Sequence, residues 1–188
     1  MANPQEPLRI ALRKLWSDHV IWTREYIRAA IVGGADAEAA AGRLLRNQED
    51  IGDAIVPYYG DGAGAKLTDL LKQHIMIAVE LVDAAKTGDD DRFAREDANW
   101  TANIEEIAGF LSSANPNWPK QDVLDLLALH LKLTKDETVA VLHKDYDSAI
   151  KAFDDIFNEI LVLADALYDG LVAQYPERFG VAMAAAAA

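Results

Sequence analysis

The chain has 188 residues, enough for one domain that buries most of its apolar surface. It carries 18 basic against 31 acidic residues, a net charge of −13, which repels phosphate backbones and anionic headgroups and argues against nucleic-acid and membrane partners. The absence of cysteine excludes disulfides, thiolate catalysis and cysteine-ligated zinc.

Helical periodicity runs through the chain, with no sustained two-residue alternation. The N-terminal stretch Met1 to Pro7 lacks a basic region followed by an apolar run, and no apolar stretch approaches the ~18 residues of a membrane span, so a cytoplasmic protein is expected. The first helix is predicted over about Leu8 to Val32, ended by Gly33-Gly34, with Asp36 placed to cap the second. Helix 2 runs to about Val56, and Pro57-Tyr58-Tyr59-Gly60-Asp61-Gly62 reads as a turn. Helix 3 spans about Ala65 to Lys86, and helix 4 follows with Asp89, Asp90 and Asp91 at its positive end. Asn115-Pro116-Asn117-Trp118-Pro119 breaks the chain before helix 5, which begins near Lys120. Thr134-Lys135-Asp136-Glu137 has the pattern of a capping box that would start a new helix. The preferred reading instead carries helix 5 to about Leu142, turns near His143-Lys144-Asp145, and runs helix 6 to about Val172. The alanine-rich end, 180–188, reads as a disordered tail.

That preference rests on an internal repeat. Leu15-Trp16-Ser17-Asp18-His19, Leu70-Leu71-Lys72-Gln73-His74 and Leu126-Leu127-Ala128-Leu129-His130 stand 55 and 56 residues apart. The match extends to Thr23, Ala78 and Thr134, and to Glu25, Glu80 and Asp136. It divides the chain into helical hairpins at about 8–62, 63–118 and 119–175. Asn47 and Asn103 are likewise 56 residues apart.

Two residues equidistant from an antiparallel turn lie at one height, because each helical residue rises by about 1.5 Å. The midpoint of His19 and Asn47 is Gly33; that of Asn47 and His74 is Gly60-Asp61. His74 and Asn103 centre on Gly88-Asp89, and Asn103 and His130 on Pro116-Asn117. All four midpoints are predicted turns. The five residues therefore share one level of an all-α, up-and-down bundle of six helices, closed so that helices 1, 3 and 5 face a common axis. The sixth helix contributes Asp154 if its turn centres on Leu142, or Asn158 if on Lys144; Asp154 is preferred because it lies with Ile150, Phe157 and Leu161.

Three readings of this layer stay open. His19, His74 and His130 could ligate one transition-metal ion, zinc, iron or nickel, with Asn47, Asn103 and Asp154 supporting or completing the shell. The layer could hold a small polar ligand, or be a buried hydrogen-bond network that sets hairpin register. An enzyme, such as a metal-dependent hydrolase or transferase, would also need a cleft to the layer and Asp50, Glu106 or Asp154 beside an open position. Glu25, Glu80 and Asp136 fall beside the stripe and read as solvated or interhelical. No Glu-x-x-His pair, His-Glu-x-x-His motif, phosphate loop or nucleophile elbow is present.

Leu15-Trp16 with His19-Val20 and Trp22-Thr23-Arg24, then Asn47-Gln48 with Ile51-Gly52, Pro57-Tyr58-Tyr59-Gly60 and Asn115-Pro116-Asn117-Trp118-Pro119 resemble an uncharacterised family of bacterial all-helical proteins. The resemblance covers about Leu12 to Phe179 and implies no activity. A looser similarity is to the DinB-like metal-binding bundles, which use three histidines. Those set two of them on one helix at i, i+4; this chain does not.

Overall fold

A computed structural model describes residues 6–180; Met1 to Gln5 and the alanine tail from 181 onward lie outside the described residues. Six helices form there, α1 (Glu6–Val32), α2 (Ala37–Tyr59), α3 (Asp61–Thr87), α4 (Asp90–Ala114), α5 (Lys120–Leu142) and α6 (Tyr146–Gln174), followed by a short 3-10 turn at Pro176–Phe179. No strand occurs among the described residues. Each helix packs on its neighbours in sequence and α6 returns to α1, which closes the ring. Contacts among α1, α3 and α5 cross the middle, so these three line the axis.

The turns follow from a few residues. Gly33, Gly60 and Gly88 have φ of 74°, 82° and 70°, a backbone that side chains disfavour. Lys144 adopts φ 59° between α5 and α6, which centres that turn on Lys144-Asp145. Asp89 accepts from the Arg92 amide and Asp145 from the Ser148 amide, each capping the helix it precedes. Asp36 makes no such bond. Thr134 does not open a helix; it lies inside α5 and its hydroxyl donates to the His130 carbonyl, as that of Thr23 does to His19.

The expected turn at residues 57–62 is corrected to a single pivot at Gly60. Pro57 stays inside the last turn of α2, where the carbonyls freed at a helix end find partners from the other end of the chain. Arg178 donates to the Pro57 carbonyl at 2.8 Å, and the Tyr175 hydroxyl donates to that of Tyr58 at 3.0 Å. The Asn-Pro-Asn-Trp-Pro stretch belongs to the same end. Asn115 donates to the Gly170 carbonyl and the Trp118 indole N–H to the Leu167 carbonyl. Leu12, Trp16, Leu67, Leu71, Leu127, Leu163 and their neighbours fill the axis between this end and the histidines. Among the described residues, no helix is long and apolar enough to cross a membrane.

The indole of Trp118 lies directly over Gly170, where a Cβ would overlap the ring. Gly170→Ala should therefore destabilise the protein by about 1–3 kcal/mol in urea denaturation. Gly42→Ala, with nothing near the added carbon, should be neutral or stabilising by up to about 1 kcal/mol. Equal midpoints for Gly170→Ala and wild type would contradict the packing described.

Candidate metal centre

His19, His74 and His130 are carried to the axis by equivalent turns of α1, α3 and α5 and are no more than 3% exposed. Their ring centroids are 5.5 Å apart for His19 and His130, and 6.3 Å for each of the other two pairs. One nitrogen from each ring falls within 4.8 Å of the other two, a grouping able to hold a metal ion. All three histidines anticipated for the site are thus brought together.

Each ring is oriented through Nδ1 by a residue 29 positions later, on the next helix. His74 Nδ1 donates to Asn103 Oδ1 at 2.9 Å, and His130 Nδ1 donates to Glu159 Oε2 at 3.0 Å. His19 Nδ1 instead meets the Gln48 amide nitrogen at 3.3 Å. Nε2 is then the nitrogen that each ring can offer to the axis, in the manner of histidine ligands braced by a neighbouring polar group.

Two of these braces differ from the sequence-based expectation. Asn103 holds His74, as anticipated, and its amide also donates to the Leu70 carbonyl at 3.1 Å. Asn47 is fully buried at the same level but donates to the Leu15 carbonyl at 3.0 Å, leaving His19 to Gln48. Asp154 is exposed, as is Asn158, and neither belongs to the layer. The correction is Glu159, 6% exposed and 56 residues after Asn103. The stripe through Ile150 points to Asp154, but Ile150 is itself 51% exposed; the buried face of α6 runs through Ala152, Ile156, Glu159, Ile160 and Leu163. Continuing the 56-residue period from Asn103 would have found Glu159. Gln48 carries the same signal: it stands 55 residues before Asn103, as His19 stands 55 before His74, whereas Asn47 is one residue off that interval.

The other acidic candidates stay outside. Asp50 and Glu106 are exposed, Glu80 pairs with Arg92, and Asp136 pairs with Lys132. His143 is exposed at the end of α5.

The space beside the rings is small and mostly apolar. A cavity of about 20 Å3, bounded by the three histidines, Thr23, Leu44, Ala78, Trp100, Thr134 and Thr138, has room for one ion or one water. The threonine hydroxyls are committed to carbonyls of their own helices. Three buried polar atoms around the layer have no hydrogen-bond partner among the described residues: Gln48 Oε1, Glu159 Oε1 and the Trp100 indole nitrogen. Two turns beyond His130, Glu137 is buried against Arg24 at 2.7 Å.

Burial governs the charge state. It pushes His19 well below the usual histidine value, helped by His130 and His74. It pushes His74 down to about 3, with His130 acting the same way and the bond to Asn103 opposing. Both rings are neutral at physiological pH, the form a metal requires. Glu137 moves the other way, raised to about 7 by burial against the opposing pull of Arg24.

The chain matches no family model, no curated protein and no solved structure.

The depressed histidines stabilise the fold fully above the unfolded value near 6.5, and that contribution is lost as pH falls toward the folded values. Metal-free wild type should lose stability between pH 6 and 4 more steeply than His74→Phe, by about 1.4 kcal/mol per pH unit. Glu137, raised in the fold, works in the opposite sense between about 4.5 and 7; it is present in both proteins and cancels in the difference. Denaturant titrations at three pH values measure the two slopes, and equal slopes would contradict a buried neutral His74.

Proposed function

We propose that the protein binds one transition-metal ion through Nε2 of His19, His74 and His130. The observation that carries this reading is the convergence of three buried imidazoles within 4.8 Å, each with Nδ1 held from behind. Tetrahedral ligands at a zinc–nitrogen bond of about 2.0–2.1 Å stand about 3.3 Å apart, so a short inward movement of the rings completes the geometry. Imidazole favours zinc, iron or nickel over calcium or magnesium, which take oxygen ligands. Glu159 supports the same reading, since a carboxylate behind a ligating histidine raises its basicity and offsets part of the ion's charge.

The surroundings favour binding over catalysis. The rings are almost fully buried, the cavity has no room for a substrate of ordinary size, and Asp50, Glu106 and Asp154 are not beside it. The resemblance to an uncharacterised bacterial helical family is consistent with this and adds no activity. Its Tyr-Tyr-Gly and Asn-Pro-Asn-Trp-Pro stretches serve here to lock one end of the bundle. The one-histidine-per-helix arrangement separates the site from the DinB-like pattern. A second reading, a hydrogen-bonded layer without metal, is favoured by one observation: Gln48 presents a donor to His19, where a metal site calls for an acceptor.

Protein purified without a histidine tag should contain close to one transition metal per chain by elemental analysis. His74→Ala should abolish it and His143→Ala should leave it in place. Affinity should weaken as pH falls below about 6 because protons compete for the ligands. Metal-free wild type that neither takes up stoichiometric zinc nor gains thermal stability from it would overturn the proposal. His74→Ala would still cost about 1–3 kcal/mol through the partner left behind, so metal content and stability must be read together.

A further inference from the structure

The three braces are not chemically equivalent, and their hydrogen bonds can be followed back to backbone carbonyls. The Asn47 amide donates to the Leu15 carbonyl, so its Oδ1 faces Gln48. The Gln48 Nε2 lies 3.2 Å from that oxygen and 2.8 Å from the Leu44 carbonyl. Both are pure acceptors, which places the nitrogen rather than the oxygen of Gln48 at this point. The same nitrogen faces His19 Nδ1 at 3.3 Å. The amide has two hydrogens for these three acceptors, so one is shared; a proton on His19 Nδ1 would point N–H against N–H, so that proton sits on Nε2, pointing to the axis. Asn103 is fixed the opposite way by the Leu70 carbonyl, and Glu159 is an acceptor, so His74 and His130 carry their protons on Nδ1.

The axis therefore receives one N–H, from His19, and two lone pairs, from His74 and His130. A water molecule complements that set: its oxygen accepts from His19 and its two hydrogens go to the other rings. The cavity of about 20 Å3 accommodates one. A metal ion needs three lone pairs, so His19 must shift its proton from Nε2 to Nδ1. Gln48 must then turn its carboxamide by half a revolution, giving up the Leu44 and Asn47 oxygens. Its Oε1, buried without a partner, becomes the acceptor. One proton leaves Nε2 and one arrives at Nδ1, so ring charge is unchanged.

We propose that Gln48 is the specificity-determining residue of the triad, holding His19 in the tautomer that suits water and thereby setting how tightly a metal competes. For the metal occupant the inference rests on the function proposed above; for the tautomer it does not. Nitrogen-15 NMR of the metal-free protein should show His19 protonated at Nε2 and His74 and His130 at Nδ1. A proton on His19 Nδ1 would overturn the proposal whether or not metal binds.

Zinc titrations then test the selective role. Gln48→Glu supplies an acceptor and should bind zinc at least about tenfold more tightly than wild type, roughly the worth of one repaired charge-assisted bond. Gln48→Met removes the donor without adding charge and should tighten binding about threefold. Thermal melts confirm that each variant is folded; Gln48→Met alone suffices if Gln48→Glu fails to fold, and if Gln48→Met fails to fold the nitrogen-15 spectrum decides. A folded variant that binds zinc no better than wild type would overturn the proposal. Tightening by Gln48→Glu with Gln48→Met unchanged would assign the effect to charge and overturn it equally. If metal binds to none of the three proteins, the metal reading and the selective role of Gln48 fall together. If wild type binds and the variants bind no better, only the role of Gln48 falls.

Discussion

An imidazole taken out of water must find partners for both of its nitrogens, because a buried polar group without one costs about 1–3 kcal/mol. This chain buries three imidazoles at one level, and the architecture answers that requirement. Nδ1 of each ring is met by a side chain 29 residues later, from the helix that comes back down beside it. A slip of one residue in any hairpin would rotate that partner by about 100° and strand the ring. The pairs thus act as register pins for α1 with α2, α3 with α4 and α5 with α6. The closing of the ring by α6 on α1 brings the other nitrogens toward one another.

The rest of the bundle keeps that level dry and in place. On one side the axis is filled by leucines, isoleucines and Trp16, a region without polar demand. Beyond it the chain end folds back over α2: Arg178 and Tyr175 take the carbonyls around Pro57, while Trp118 and Asn115 bond to α6. On the other side lie the threonines and the buried Glu137 with its half-buried partner Arg24. The layer is the boundary between an apolar half and a half that tolerates polar groups. Such a position lets neutral imidazoles persist while leaving a small space beside them.

Much of this was legible before any coordinates. The recurrence of His19, His74 and His130, together with Asn47 and Asn103, located four turns at once. It also identified Thr134 as mid-helix despite its capping pattern. That argument works because helical rise is uniform and hairpin loops are short, so arithmetic on residue numbers is geometry. It failed where local composition misled. Ile150, an exposed isoleucine, drew the apolar stripe of α6 onto the wrong face and Asp154 with it. Gln48 stands 55 residues before Asn103, as His19 stands 55 before His74, so the spacing points to it; the likeness of two asparagines drew Asn47 into its place, one residue and about 100° of rotation away. Pro57 reads as a helix breaker, yet the hydrogen bonds that let α2 run past it come from residues some 120 positions away.

The central claim is that three imidazole nitrogens converge on one ion and leave a single open position. The electronic spectrum of the protein titrated with cobalt(II) tests this most directly, because tetrahedral and octahedral cobalt differ strongly in visible absorption. The account predicts saturation at one cobalt per chain, with the intense visible bands of a four-coordinate ion bound by nitrogen. Weak, octahedral-type bands that rise in proportion to added cobalt without saturating would contradict it.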